Sequence, residues 1–142
     1  MNREYTSLGL MSGTSGDGVD ASLIKSDGKS KYTEIFNKYF EYDKEIYHSI
    51  HDLKEKIHSF NDLSKFSKEL ISLERDITLF HAKVVGEILK NNDFEIIGFH
   101  GQTIYHNSEE KISKQLGDGR LLHQLTKKNI VYDFRQNDIK NG

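Results

Sequence analysis

Polar and apolar positions divide the chain into stretches that alternate and stretches that repeat every three to four residues. From Tyr5 to Ser12, Leu8 and Leu10 alternate with small or polar residues, which predicts a strand buried on one face. Val19, Ala21 and Leu23 continue the alternation to Ser26, on the far side of the glycine-rich stretch from Gly13 to Gly18, so the two runs are expected to pair as a hairpin. Asp27-Gly28 is a further turn signal. Ser30 to Tyr42 carries Tyr32, Ile35, Phe36, Tyr39, Phe40 and Tyr42, the content of a third strand.

From Asp43 the period changes. Asp43 is placed to cap a helix whose buried face is Ile46, Ile50, Leu53 and Ile57. Asn61 or Asp62 then opens a longer helix with a stripe of Leu63, Phe66, Leu70, Leu73, Ile77, Phe80, Val84 and Ile88, expected to end near Asn91-Asn92. The two read as a helical hairpin on one face of the sheet. A coiled coil is the rival reading, but the stripe is short and broad for one. Ile96 to Phe99 fits a buried parallel strand after a crossover helix. Asn107 to Lys114 is polar and expected as loop. Asp118 is placed to cap a short helix containing Leu121, Leu122 and Leu125, and Ile130 to Phe134 predicts a last buried strand with Asp133 and Arg135 at its carboxyl end. Open α/β sheets place ligands at the carboxyl ends of their parallel strands, so the polar tails of the two late strands point to one crevice.

Composition narrows the class. A chain of 142 residues is expected to form one domain with a real core. A net charge of −2 and a pI near 6.4 leave no basic footprint for nucleic acid. No window approaches the ~20 apolar residues of a membrane span, and Asn2-Arg3-Glu4 leads into only a short apolar run, so no secretory signal is expected. Without cysteine there is no disulfide, thiol nucleophile or thiolate metal site, which is compatible with a cytoplasmic location.

The densest chemistry is Gly9-Leu10-Met11-Ser12-Gly13-Thr14-Ser15-Gly16-Asp17-Gly18-Val19-Asp20. Glycines let backbone amides approach a ligand, and successive amides in such a turn form a nest for phosphate oxygens. Thr14 and Ser15 add hydroxyls. Asp17 and Asp20 can orient a hydrated cation beside those oxygens. The plain alternative is an ordinary glycine-rich hairpin. His100 is either a core histidine bonded to a carbonyl or a site residue. Gln102 and Thr103 are common loop residues and also the neutral donors and acceptors a sugar needs. Asp118 is a helix cap or an acceptor for a sugar hydroxyl. Arg135 reads as a structural salt bridge with Asp133 nearby, or as a fork for a carboxylate. His48, His51, His58 and His81 sit on predicted helices, are expected at the surface, and have no acidic ligands that would complete a metal site.

Four segments occur in order: Gly13-Thr14-Ser15 with Asp17-Gly18-Val19-Asp20; Phe99-His100-Gly101-Gln102-Thr103; Gln115-Leu116-Gly117-Asp118-Gly119; and Val131-Tyr132-Asp133-Phe134-Arg135. Together they resemble the N-terminal part of the anhydro-N-acetylmuramic acid kinase family, within the actin-like sugar kinases. The resemblance implies an α/β, ribonuclease-H-like lobe of the actin-like ATPase fold. That lobe has an antiparallel three-stranded start, parallel strands after it and a helical hairpin on one face. The three early strands agree, although their spacing alone also fits other α+β folds. Residues 1–142 would be the N-terminal lobe, with the second lobe absent from this chain.

The function implied is a magnesium- and ATP-dependent kinase of peptidoglycan recycling. It opens the anhydro bridge of anhydro-N-acetylmuramic acid with water and phosphorylates the freed primary hydroxyl, giving N-acetylmuramic acid 6-phosphate. Carried onto this chain, Gly13, Thr14, Ser15, Gly16, Asp17, Gly18, Val19 and Asp20 bind the ATP phosphates, with Asp17 reaching the metal through water. His100, Gln102, Thr103, Gln115, Asp118 and Arg135 line the sugar cleft. The family's catalytic aspartate lies beyond the Arg135 region, so none of these residues is its base. Gly16 stands where the family usually has a bulkier apolar residue, which is expected to loosen the turn. Two readings follow: part of a kinase completed by a second polypeptide or by self-association over the missing-lobe face, or a truncated, inactive remnant that at most binds phosphate or a partner. An unrelated α+β binding module is disfavoured by the four ordered segments.

Overall fold

The computed structural model describes residues 4–28 and 31–132. Its elements are β1 (Tyr5–Ser12), β2 (Gly18–Ser26), β3 (Tyr32–Glu41), α1 (Lys44–Lys56), α2 (Phe60–Lys65), α3 (Ser67–Leu89), β4 (Ile96–Asn107), β5 (Ile112–Leu116), α4 (Gly119–Thr126) and β6 (Asn129–Val131). They build a 6-stranded sheet of order β3-β2-β1-β4-β5, with β6 also paired to β4. β1, β2 and β3 form an antiparallel meander. The chain then crosses through α1–α3 to lay β4 parallel to β1. The first part of β4 pairs parallel with β6 and its second part antiparallel with β5.

Alternation determines which face is covered. Leu8 and Leu10 of β1 lie opposite Leu23 and Ala21 of β2 and beside Ile97 and Phe99 of β4. These residues pack with Ile46, Ile50 and Leu53 of α1 and Leu70, Leu73, Ile77, Val84, Val85 and Ile88 of α3 in one buried cluster. The other face carries Ser7, Gly9 and Met11 of β1, with Gly9 beside Ser22 and Gly98. Met11, Tyr39 and Val131 are exposed. Among the described residues no helix is long and apolar enough to cross a membrane.

The expected start of α1 holds: the Asp43 carboxylate accepts from the Ile46 amide at 2.9 Å. The second helix differs from expectation. It starts earlier, at Phe60 with Ser59 as its cap, and breaks at Phe66 (φ −104°, ψ 24°) into α2 and α3. Asp62 is not the opening residue but the third helical one, because its carboxylate accepts from the His58 and Ser59 amides in a capping box. No glycine or proline marks the break; Leu63 before it and Phe66 at it both lie against the core. His81 is not at the surface but fully buried.

The strand at Ile96 runs on to Asn107, and the last three residues of the expected loop, Ile112 to Lys114, belong to β5. Gly101 makes the continuation possible. Its φ of +80° is a left-handed value, and a Cβ there would lie 2.8 Å from the Leu116 carbonyl oxygen of β5. The Asn107 side chain closes the β4–β5 turn by accepting from the Glu109 and Glu110 amides. α4 starts as expected, with Asp118 accepting from the Leu121 amide. Of the last predicted strand, Ile130 and Val131 are in β6, while residues from Asp133 onward, Arg135 included, lie outside the described residues.

Candidate functional site

β1 ends at Ser12, which is in parallel register with Gln102 of β4. That register brings the β1–β2 turn and the Phe99–Thr103 segment to one end of the sheet, the carboxyl end of β1. The turn is closed by the Gly16 amide donating to the Gly13 carbonyl at 3.2 Å. The same carbonyl accepts from Gln102 Nε2 at 2.8 Å. Lys54 Nζ donates to the Thr14 carbonyl, and the Tyr42 amide to the Asp17 carbonyl at 2.9 Å. The turn is therefore held from β4, from α1 and from the end of β3.

Gly16 takes a conformation that favours glycine. It is buried at φ +69°, where an added Cβ would lie 2.9 Å from Ile50 Cγ2 of α1. Gly13, Thr14, Ser15, Asp17 and Asp20 are exposed. Gly18 is buried in β2, and Val19 is part of the core. The Asp17 carboxylate is 3.9 Å from His51 Nε2. The Tyr39 phenol is pushed up in pKa, first by desolvation and then by the Asp17, Glu41 and Asp20 carboxylates, so this rim is acidic. An acidic rim suits polyphosphate that brings its own divalent cation better than bare phosphate. Among the described residues no group of three or more His, Cys, Asp or Glu is arranged to hold a metal.

Behind the turn lies a buried polar chain. His81 Nδ1 is 2.7 Å from the Ile77 carbonyl. A carbonyl only accepts, so Nδ1 carries the proton and Nε2 is the acceptor. The Ser12 hydroxyl, 3.3 Å from Nε2, therefore donates to it. The Tyr42 hydroxyl lies 3.0 Å from Ser12 Oγ and 3.1 Å from Gln102 Oε1, its single proton shared between the two acceptors. Burial depresses the His81 pKa to about 4, against a smaller upward effect from the Ile77 carbonyl, and burial raises that of Tyr42. Both groups are neutral near pH 7. Gln102 thus has both ends of its amide engaged within the protein.

On the β5 side, Gln115 Nε2 donates to Ser113 Oγ at 2.6 Å and to Thr103 Oγ1 at 3.3 Å. The Gly117 amide donates to Glu74 Oε2 and the Asp118 amide to Thr78 Oγ1, both on α3. Asp118 is exposed while capping α4, and His100 is half-buried in β4. Gly13, Gln102, Thr103 and Gln115 thus form one bonded series from the β1–β2 turn across β4 to β5. Ser12, Tyr42, Thr78 and His81 are the members that the motifs did not single out.

A three-stranded antiparallel start, a parallel β4 beside β1 and a glycine-rich β1–β2 turn at the sheet's carboxyl end define a ribonuclease-H-like lobe of the actin-like ATPase class. A family model, anhydro-N-acetylmuramic acid kinase, matches residues 5–142. The chain belongs to that family. It is 62% identical to an anhydro-N-acetylmuramic acid kinase of Pelagibacter ubique over 100% of its own length and 38% of that relative. Kinases of the same name from Agrobacterium fabrum and Brucella abortus are 35% and 34% identical, over 39% and 38% of their lengths. The chain spans well under half the length of these curated relatives.

Proposed function

We propose that this chain supplies the N-terminal ligand-binding part of an ATP-dependent kinase acting on anhydro-N-acetylmuramic acid in peptidoglycan recycling. The observation that carries the reading is the bond from Gln102 to the Gly13 carbonyl, which ties the glycine-rich turn to the β4 segment. Exposed backbone at Gly13, Thr14 and Ser15 takes the ATP phosphates. Magnesium supplies charge neutralisation on the transferring phosphate, with Asp17 orienting its water shell. Thr103, Gln115, Asp118 and His100 face the sugar side, and Arg135 is assigned the lactyl carboxylate on the family resemblance. Gln102 works by fixing the turn.

Phosphoryl transfer depends mainly on positioning and charge stabilisation, and this lobe contributes to both. A base on the attacking water must come within hydrogen-bond reach of its proton. None of the residues assigned here takes that role, so the chain alone is expected to bind without turnover.

Calorimetry of the folded chain with Mg-ATP, and separately with anhydro-N-acetylmuramic acid, tests the reading alongside a turnover assay in the same buffer. Binding of either ligand without phosphorylation is the expected result. Failure of a folded sample to bind both would leave a non-catalytic remnant, and turnover by the chain alone would show that the assignment of roles is wrong.

A further inference from the structure

Two side chains of α3 reach the two glycine-rich segments by the same device. Thr78 Oγ1 donates to the Glu74 carbonyl one turn back at 2.8 Å and presents its lone pairs to the Asp118 amide at 2.9 Å. His81 Nδ1 donates to the Ile77 carbonyl one turn back at 2.7 Å and presents Nε2 to the Ser12 hydroxyl at 3.3 Å. Both side chains are fully buried. Glu74 completes the stripe by accepting from the Gly117 amide at 3.1 Å. Positions 74, 78 and 81 are four and three apart, so they lie along one side of the helix. The Thr78 and His81 acceptors are each tied to the backbone of a 23-residue helix that is locked into the core.

We propose that α3 sets the separation between the β1–β2 turn and the β5–α4 turn, with Thr78 and His81 as positioning residues. The proposal rests on the functional reading for its purpose. If the first turn holds ATP phosphates and the second lines the sugar, α3 fixes the distance across which the phosphoryl group passes, where small misplacements are costly. Neither Thr78 nor His81 needs to touch a ligand for this role.

The 142-residue chain has no cysteine, so Ser15→Cys gives a single spin-label site at the exposed tip of the first turn. Paramagnetic broadening of the Gly117–Leu122 amides then reads the separation of the two turns directly. Thr78→Val is expected to alter that broadening and to speed hydrogen exchange at the Asp118 amide about tenfold, the loss of one net hydrogen bond. Thr78→Ser keeps the hydroxyl and should restore both values, which a purely space-filling role would not predict. Unchanged broadening in folded Thr78→Val, or no restoration by serine, would overturn the proposal. If the valine variant does not fold, His81→Phe reads the same separation from the other end, and an unchanged value there is equally contrary. Calorimetry of the unlabelled chain with Mg-ATP reports separately on the functional reading, which can fail while the separation behaves as proposed.

Discussion

Acidification should unlock the core at His81. The imidazole is fully buried, neutral and committed at both nitrogens, and its rim is aromatic, with Phe99 at 4.8 Å and Tyr42 at 6.5 Å between ring centroids. Among the described residues no acidic side chain bonds the ring to offset a charge. Its pKa is about 4 in the folded chain, against 6.5 ordinarily. A group whose folded pKa is depressed makes the unfolded state the better proton binder, so stability is full above pH 6.5 and falls as the pH drops toward 4. With those two values the loss between pH 7 and pH 5 is about 2 kcal/mol. The depressed carboxylates of Asp62, Glu87 and Asp93 add losses of the same sign only at lower pH. Urea unfolding of the chain and of His81→Gln at pH 7 and pH 5 isolates the effect. The glutamine variant is expected to be less stable at pH 7 but to lose much less on acidification. Equal losses in the two proteins would refute the assignment of a buried, neutral His81.

Two further changes probe how the site is held. Gly16→Ala places a Cβ at a left-handed φ against Ile50, and should cost about 1–2 kcal/mol of stability, seen as a lowered urea midpoint; an unchanged midpoint would show that the turn is loose. Asp43→Ala removes the cap on α1, the helix that carries Ile50 and Lys54 to the turn; about 1 kcal/mol should be lost, with Asp43→Asn retaining most of it.

Local signals were legible in the sequence, and tertiary ones were not. Asp43 and Asp118 were readable as caps because a cap depends on residues within one turn of it. The β1–β2 hairpin followed from alternation on both sides of a glycine-rich stretch. His81 was misread because polarity was weighed above position. It lies four residues after Ile77 and three before Val84, on the stripe itself, and that spacing was the available signal. β4 was cut short because Gln102 and Thr103 look like loop residues, although their polar groups are satisfied inside the sheet. The break at Phe66 has no glycine or proline to mark it, and Phe66 itself lies against the core. Tyr42 read as one strand aromatic among several; its place between Ser12 and Gln102 depends on three separate elements meeting, which no spacing encodes.

The central claim is that the β1–β2 turn of this chain is a nucleotide-phosphate site. A titration of the isotope-labelled 142-residue chain with Mg-ATP, followed amide by amide, tests it most directly. The account predicts saturable shifts centred on Gly13 to Gly18, with the β2–β3 turn at Asp27-Gly28 unaffected. A folded chain whose Gly13–Gly18 amides stay in place at saturating Mg-ATP, or whose shifts fall elsewhere, would contradict it.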